Sequence, residues 1–115
     1  MHLRHERDGD ARTLASTVDT ADSFLVQARG LMFRRSIPDD YALVFDFADA
    51  ASRDAHMVFV PFDIDALWVE NEEVQHATTL SAWTGRDEAR CDTLVELPAG
   101  AASDVRVGDR VWLED

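Results

Sequence analysis

The chain contains no lysine. Its 11 cations are all arginine, against 23 carboxylates, 16 of them aspartate, giving a formal charge of -12 on 115 residues. So large an excess of one sign repels itself and destabilises a compact state. At molar salt the screening length falls to about 3 Å and most of that repulsion disappears. The sequence therefore predicts a cytoplasmic protein of a salt-loving organism. Scarcity of positive charge excludes nucleic acid as a partner, because that binding relies on Lys and Arg neutralising phosphates. It argues equally against an anionic membrane surface. A single cysteine, Cys91, excludes an internal disulfide. No apolar run approaches the roughly 18 residues of a membrane span. Met1-His2-Leu3-Arg4-His5-Glu6 lacks the apolar stretch of a signal peptide. There is no glycine-rich phosphate loop, internal repeat, low-complexity segment or dividing linker. What remains is an ordinary apolar content of 46%, enough for one self-supporting domain spanning residues 1–115.

Local patterning predicts an α+β domain, mainly β: about seven short, mostly antiparallel strands, in a partly closed barrel, with one main helix near residues 20–32. Asp8-Gly9-Asp10 reads as a hairpin turn between Leu3–Arg7 and Arg12–Val18. Thr20 suits a helix cap. Phe24, Leu25, Ala28, Leu31 and Met32 recur at helical spacing after it. Leu43, Phe45 and Phe47 alternate as in a strand, and residues 48–54 read as a loop. His56–Phe62 and Ile64–Val69 are apolar on both faces, as buried strands are, with Pro61 marking a bend between them. Asn71-Glu72 turns the chain into a returning strand, Glu73–Leu80. Residues 84–92 are polar and contain Gly85, hence an exposed loop. Thr93–Leu97 is a strand ended by Pro98-Ala99-Gly100, and Val107-Gly108-Asp109 leads into the last one, Arg110–Leu113.

Two carboxylates fall where the pattern asks for apolar residues. Asp65 shares a strand face with Leu67 and Val69. An ionised carboxylate is costly to bury without partners, so Asp65 is either a pocket group or a structural one, held by a cation such as Arg29 or capping a strand start. Glu96, sharing a face with Leu94, poses the same question. Together they form a candidate acid–base pair. His56 shares a face with Val58 and Val60 and is a candidate proton shuttle; a hydrogen-bonded core histidine is the alternative. Trp83, at the edge of a polar loop, walls a pocket or caps the core. Cys91, between Arg90 and Asp92, reads as a surface thiol. No metal site and no cofactor is predicted. His2 and His5, three apart on a strand, face opposite sides, and Asp63 with Asp65 is a chance pair in so acidic a chain.

Three segments in order resemble the domain-of-unknown-function family 192, in a member of haloarchaeal type. Ala28-Arg29-Gly30-Leu31-Met32-Phe33-Arg34 is similar to that family's R-G-L-M-x-R motif. His56-Met57-Val58-Phe59-Val60-Pro61-Phe62-Asp63-Ile64-Asp65 resembles the form in which histidine replaces the tryptophan of W-M-K-N-T. Leu94-Val95-Glu96-Leu97-Pro98-Ala99-Gly100, followed by Val107-Gly108-Asp109, is the third, and Trp83 stands where the family often has tryptophan. The resemblance spans residues 14–113. It implies a small strand-rich fold with no established activity, and it points to Arg29, Gly30, Met32, Arg34, Met57, Asp65, Glu96 and Gly100. The lysine and asparagine of the commoner pattern are absent here.

Three functions compete on these residues. One is a binding module for a small polar ligand or a peptide, with Arg29, Arg34, His56, Asp65, Trp83 and Glu96 around a concavity; arginine's planar fork suits carboxylate recognition. Another is an interaction or assembly protein with a protein partner and no ligand site. The last is a hydrolase or lyase using Asp65 and Glu96, with His56 shuttling protons. The sequence leaves the oligomeric state open.

Overall fold

The computed structural model describes residues 1–21, 31–32 and 34–115. Eight strands make one sheet: β1 (His2–Arg7), β2 (Asp10–Ala15), β3 (Thr17–Ala21), β4 (Tyr41–His56), β5 (Ile64–Glu70), β6 (Glu73–Leu80), β7 (Arg86–Pro98) and β8 (Arg110–Glu114). Their order is β2-β1-β8-β6-β5-β7-β4-β3. Every neighbouring pair is antiparallel except β3–β4, which is parallel. A mainly β domain is thus as expected, but the sheet is not a closed barrel, because among the described residues β2 and β3 remain its two edges. Those edges are nevertheless joined by one residue, Ser16, so the sheet must curl. The amides of Ser16 and Thr17 both donate to the Asp40 carbonyl, each at 3.0 Å, and their hydroxyls bind the Asp40 carboxylate.

The turns follow local chemistry. In the β1–β2 hairpin Asp8 and Gly9 both have positive φ, 53° and 85°, the requirement of a two-residue type I′ turn. Asn71 and Glu72 do the same between β5 and β6, at 52° and 67°, and the Asn71 amide is held by Asp92. Gly85 has a packing reason instead: a Cβ there would lie 2.6 Å from the Ser81 nitrogen.

Several expectations are corrected. Residues 22–30 of the helix expected near residues 20–32 lie outside the described residues. Thr20, expected as its cap, belongs to β3, and Leu31 and Met32 lie in a turn. Arg12–Val18 divides into β2 and β3 at Ser16. Residues 48–54, expected as a loop, continue β4, and residues 86–92, also expected as a loop, begin β7. Conversely β4 ends at His56, so residues 57–62 are turn and coil rather than strand.

The long β4 and β7 explain the packing. Their ladder runs from Leu43↔Glu96 to Asp46↔Thr93, breaks at a bulge, and resumes from Ala51↔Cys91 to His56↔Arg86. The second half folds back over the sheet. The Trp68 indole on β5 donates to the Arg53 carbonyl at 2.9 Å, and His76 on β6 meets Asp87 at 2.7 Å. That bond, followed by the Glu88 amide, holds the Asp87 carboxyl below its usual range.

Strand alternation then makes two cores on opposite faces. The first, between sheet and folded-back arm, contains Tyr41, Leu43, Phe45, Ile64, Ala66, Trp68, Leu94, Ala55, Met57, Cys91, Val60 and Leu31. The second, inside the curl, contains Leu3, Leu14, Ala42, Val44, Leu67, Val69, Val74, Val95, Leu97, Ala102, Val105 and Val111. Cys91, expected at the surface, is fully buried in the first, and burial chiefly pushes its thiol pKa up to about 11.

A polar triad with a buried His5–Asp109 pair anchors β1. Arg12 Nε, which can only donate, donates to His5 Nδ1 at 3.1 Å. His5 Nε2 therefore carries the ring proton and donates to Asp109 at 2.8 Å. The Arg106 amide also donates to that carboxylate, at 2.8 Å. Burial raises the acid's pKa, but the His5 bond and this amide outweigh it and hold Asp109 below its ordinary value.

Candidate functional site

The register separates the two unusual carboxylates. Asp65 pairs with Leu97, and Ala66 with Glu96. Paired residues share a face, so Asp65 points into the inner core and Glu96 into the arm-covered one. The acid–base pair anticipated from sequence does not form, and the hydrolase or lyase reading loses its geometry.

Asp65 is a scaffold group. It is 5% exposed. Its Oδ1 accepts the Thr79 hydroxyl at 2.8 Å, and its Oδ2 accepts the amides of Gly100 and Ala102 at 3.0 and 2.9 Å. It ties β5 to β6 and to the turn after β7. Arg29, the partner expected from sequence, lies outside the described residues.

Glu96 is the opposite case. It is 7% exposed, lies between Leu43 on β4 and Ala66 on β5, and has no hydrogen-bond or ion-pair partner among the described residues. Burial alone pushes its pKa up to about 7. Tyr41, two residues before Leu43, is its diagonal neighbour on that face, on the order of 7–8 Å away by sheet geometry. The Tyr41 hydroxyl accepts from Arg34 Nη1 at 3.0 Å and donates to Asp19 at 2.9 Å. Burial, then the Asp19 bond, push Tyr41 up to about 12 against the pull of Arg34. Arg34 also lies 5.2 Å from the tyrosine ring centroid.

The same end of the sheet carries an apolar rim. Ile64, Leu80 and Pro98 lie side by side there. The segments leading into β5 and out of β6 are zipped together: Trp83 N–H donates to the Val60 carbonyl and Met57 N–H to the Gly85 carbonyl, both at 2.9 Å, while Asp63 accepts the Ala82 amide at 2.8 Å. This leaves Val58, Phe59 and Trp83 respectively 48%, 51% and 58% exposed. Phe59 and Trp83 both hold positive φ, 59° and 68°, a conformation costly for bulky side chains and concentrated at functional sites. His56 ends β4 beside this rim, exposed rather than facing Val58 and Val60 within a strand.

Of the residues expected from sequence, Glu96 faces the arm-covered core and Arg34 contacts that core's Tyr41 from the coil before it, Trp83 and His56 flank the turns at its end, and Asp65 is elsewhere. Sequence reasoning missed Tyr41 and Phe59. Tyr41 is the chain's one tyrosine, opening a strand, and that was the available signal; the left-handed backbone at Phe59 leaves none. Among the described residues no group of three or more His, Cys, Asp or Glu is placed to hold a metal ion. No described helix is long and apolar enough to cross a membrane.

A curled, open eight-stranded sheet with a folded-back arm and a buried carboxylate that no described residue pairs with defines a small β domain of a recognisable type. The chain belongs to the family DUF192, described as Uncharacterized ACR, whose model matches residues 4–113. Two solved structures share the fold. A protein described as a putative transcription regulator from Sinorhizobium meliloti 1021 is 22% identical, with a TM-score of 0.83 over 96% of this chain and 91% of its own. A protein of unknown function from Novosphingobium aromaticivorans DSM 12444 is 18% identical, with a TM-score of 0.83 over 97% and 84%. No curated protein matches the chain.

Proposed function

We propose that this domain is a ligand-binding module whose site is the end of the arm-covered core, with Glu96 at its base, Arg34 and Tyr41 on one wall and Phe59 and Trp83 at the rim. The observation that carries this reading is the buried Glu96 carboxylate without a partner among the described residues. Buried acceptors are normally hydrogen-bonded, so a carboxylate that no described residue meets suits a donor brought by a ligand. The ligand is a small polar molecule or peptide end with a hydrogen-bond donor for Glu96 and an apolar or planar body for the rim. Amide spectra recorded in 2 M KCl with a panel of polar metabolites and dipeptides test it. A ligand shifting Glu96, Tyr41 and the Trp83 indole is expected, and Glu96→Gln should weaken it about tenfold or more, the scale of a hydrogen bond to a charged group. A folded protein in which no compound moves these signals defeats the reading.

The Sinorhizobium protein's description raises a nucleic-acid role. Against it stand the charge of -12 and the engagement of seven described arginines in ion pairs of their own. The same charge supports a high-salt cytoplasm as the working environment. Transfer from 2 M KCl to 20 mM NaCl should lower the melting temperature by at least roughly 4–8 °C, the equivalent of about 1 kcal/mol in a chain of about this size. An unchanged melting temperature would remove that part of the proposal.

A further inference from the structure

The sheet has a gap that the proposed ligand site does not use. Strand β6 is paired with β5 along nearly its whole length, but with β8 only at Glu73↔Arg110. Val74 makes the last bonds on that side, its amide to the Asp109 carbonyl and its carbonyl from the Gly108 amide, both at 2.9 Å. From Gln75 to Leu80 the outer edge of β6 has no backbone partner among the described residues. Beside it lies a cavity of about 360 Å³, floored by Leu67, Ala77 and Thr79 and walled by the turn bearing Gly100, Ala102 and Arg106.

We propose that the outer edge of β6, from Gln75 to Leu80, docks an extended peptide from a partner protein as an added strand, with an acidic residue of that peptide toward Arg106. Three features select this occupant. An open strand edge offers alternating N–H and C=O groups that only another extended main chain matches along its length, and unprotected edges are otherwise a liability. The small side chains Ala77, Gly100 and Ala102 leave room for a backbone close to the sheet. The charge is complementary: Arg106 is exposed, makes no ion pair among the described residues, and has one guanidinium nitrogen steadied by the Ser103 and Val105 carbonyls at 3.0 and 3.3 Å. The Asp65 carboxylate beside it is already saturated by Thr79, Gly100 and Ala102, so the cation is left for the incoming chain. Val107, 65% exposed on the same wall, gives an apolar neighbour for an alternate side chain.

The test is selection of a displayed random dodecapeptide library on the intact domain in 2 M KCl. Synthetic versions of the enriched peptides are then titrated by amide spectra and hydrogen exchange. The expected result is an enriched peptide containing Asp or Glu that shifts residues 75–80 and 100–107, slows exchange of β6 amides, and loses at least tenfold in affinity to Arg106→Glu. Exchanging the peptide's acidic residue for arginine should restore binding to that variant, and Trp83→Ala should leave binding unaltered. Arg106 acts here through an exposed side chain, so its variant is expected to melt within a few degrees of the parent. The proposal is overturned if no peptide enriches, if the enriched peptides shift Trp83 and Tyr41 instead, or if Arg106→Glu binds equally well. It is also overturned if sedimentation shows a dimer whose β6 amides are protected without peptide, since the edge then belongs to a second copy. Shifts confined to Trp83 and Tyr41 would uphold the ligand site while removing this one, so the two readings fail separately.

Discussion

Replacing Asp65 with alanine is expected to destabilise the protein by about 4 kcal/mol, whereas asparagine at the same place should cost roughly 1 kcal/mol. The contrast follows from what the carboxylate does. One oxygen receives two backbone amides, from Gly100 and Ala102, and the other receives the Thr79 hydroxyl. Alanine leaves both amides and the hydroxyl without acceptors in a buried region, and each unmet buried donor costs about 1–3 kcal/mol. Asparagine can place its oxygen toward the two amides and its NH2 toward Thr79, whose hydroxyl also accepts. Urea unfolding of the two variants in 2 M KCl checks this. Equal losses for both would mean that negative charge, and not the count of acceptors, holds the turn.

Glu96 leads to an expectation of opposite sign. Its folded pKa of about 7 lies above its ordinary value of 4.5. Between those values the folded state holds a proton that the unfolded chain releases, so stability declines as pH rises from about 4.5 to 7 and then levels off. The difference corresponds to about 3 kcal/mol. The residues flanking Glu96 on its own strand and on both neighbours, Leu94, Leu43 and Ala66, bear no charge; its diagonal neighbour Tyr41 is bonded to Arg34 and Asp19. Glu96→Gln, which copies the protonated form, should therefore be nearly neutral at pH 4.5. At pH 8 it should raise stability by about 3 kcal/mol. Thermal melts of both proteins across that range decide it. Parallel curves would show that the carboxylate is satisfied at every pH, and the case for a ligand at that position would go with it.

The two residues also show how far sequence reasoning reaches. That Asp65 and Glu96 are buried follows from their apolar neighbours. That they face opposite sides of the sheet depends on the register of β5 against β7, which no local pattern encodes. The partners of Asp65 are backbone amides 35 and 37 residues away, and backbone groups carry no residue-type signature. The hairpin at Asp8-Gly9 was legible because glycine and aspartate announce left-handed turns. The folded-back arm was not. Its inward positions are Ala51, Arg53, Ala55, Asp87, Ala89 and Cys91, small residues interrupted by two charges that leave no visible hydrophobic alternation, while its outward positions are polar or charged, so strands β4 and β7 read as loops there. The error at residues 57–62 has the converse cause. Their apolar side chains close the end of a core and form its exposed rim, and an apolar run serving that purpose looks like a buried strand. Of the RGLM segment, Arg29 and Gly30 lie outside the described residues, while Leu31 and Met32 lie in a turn.

Ser16 sets a condition on assembly. Strands β2 and β3 are consecutive in the chain but occupy opposite flanks of the sheet, so the ribbon cannot be laid down in order from one flank to the other. Whichever half forms first holds the second by a tether one residue long, and the parallel β3–β4 contact must wait for residues beyond Asp40. Most native pairings thus join distant parts of the chain, the arrangement that slows folding through the entropy of closing large loops before any contact rewards it.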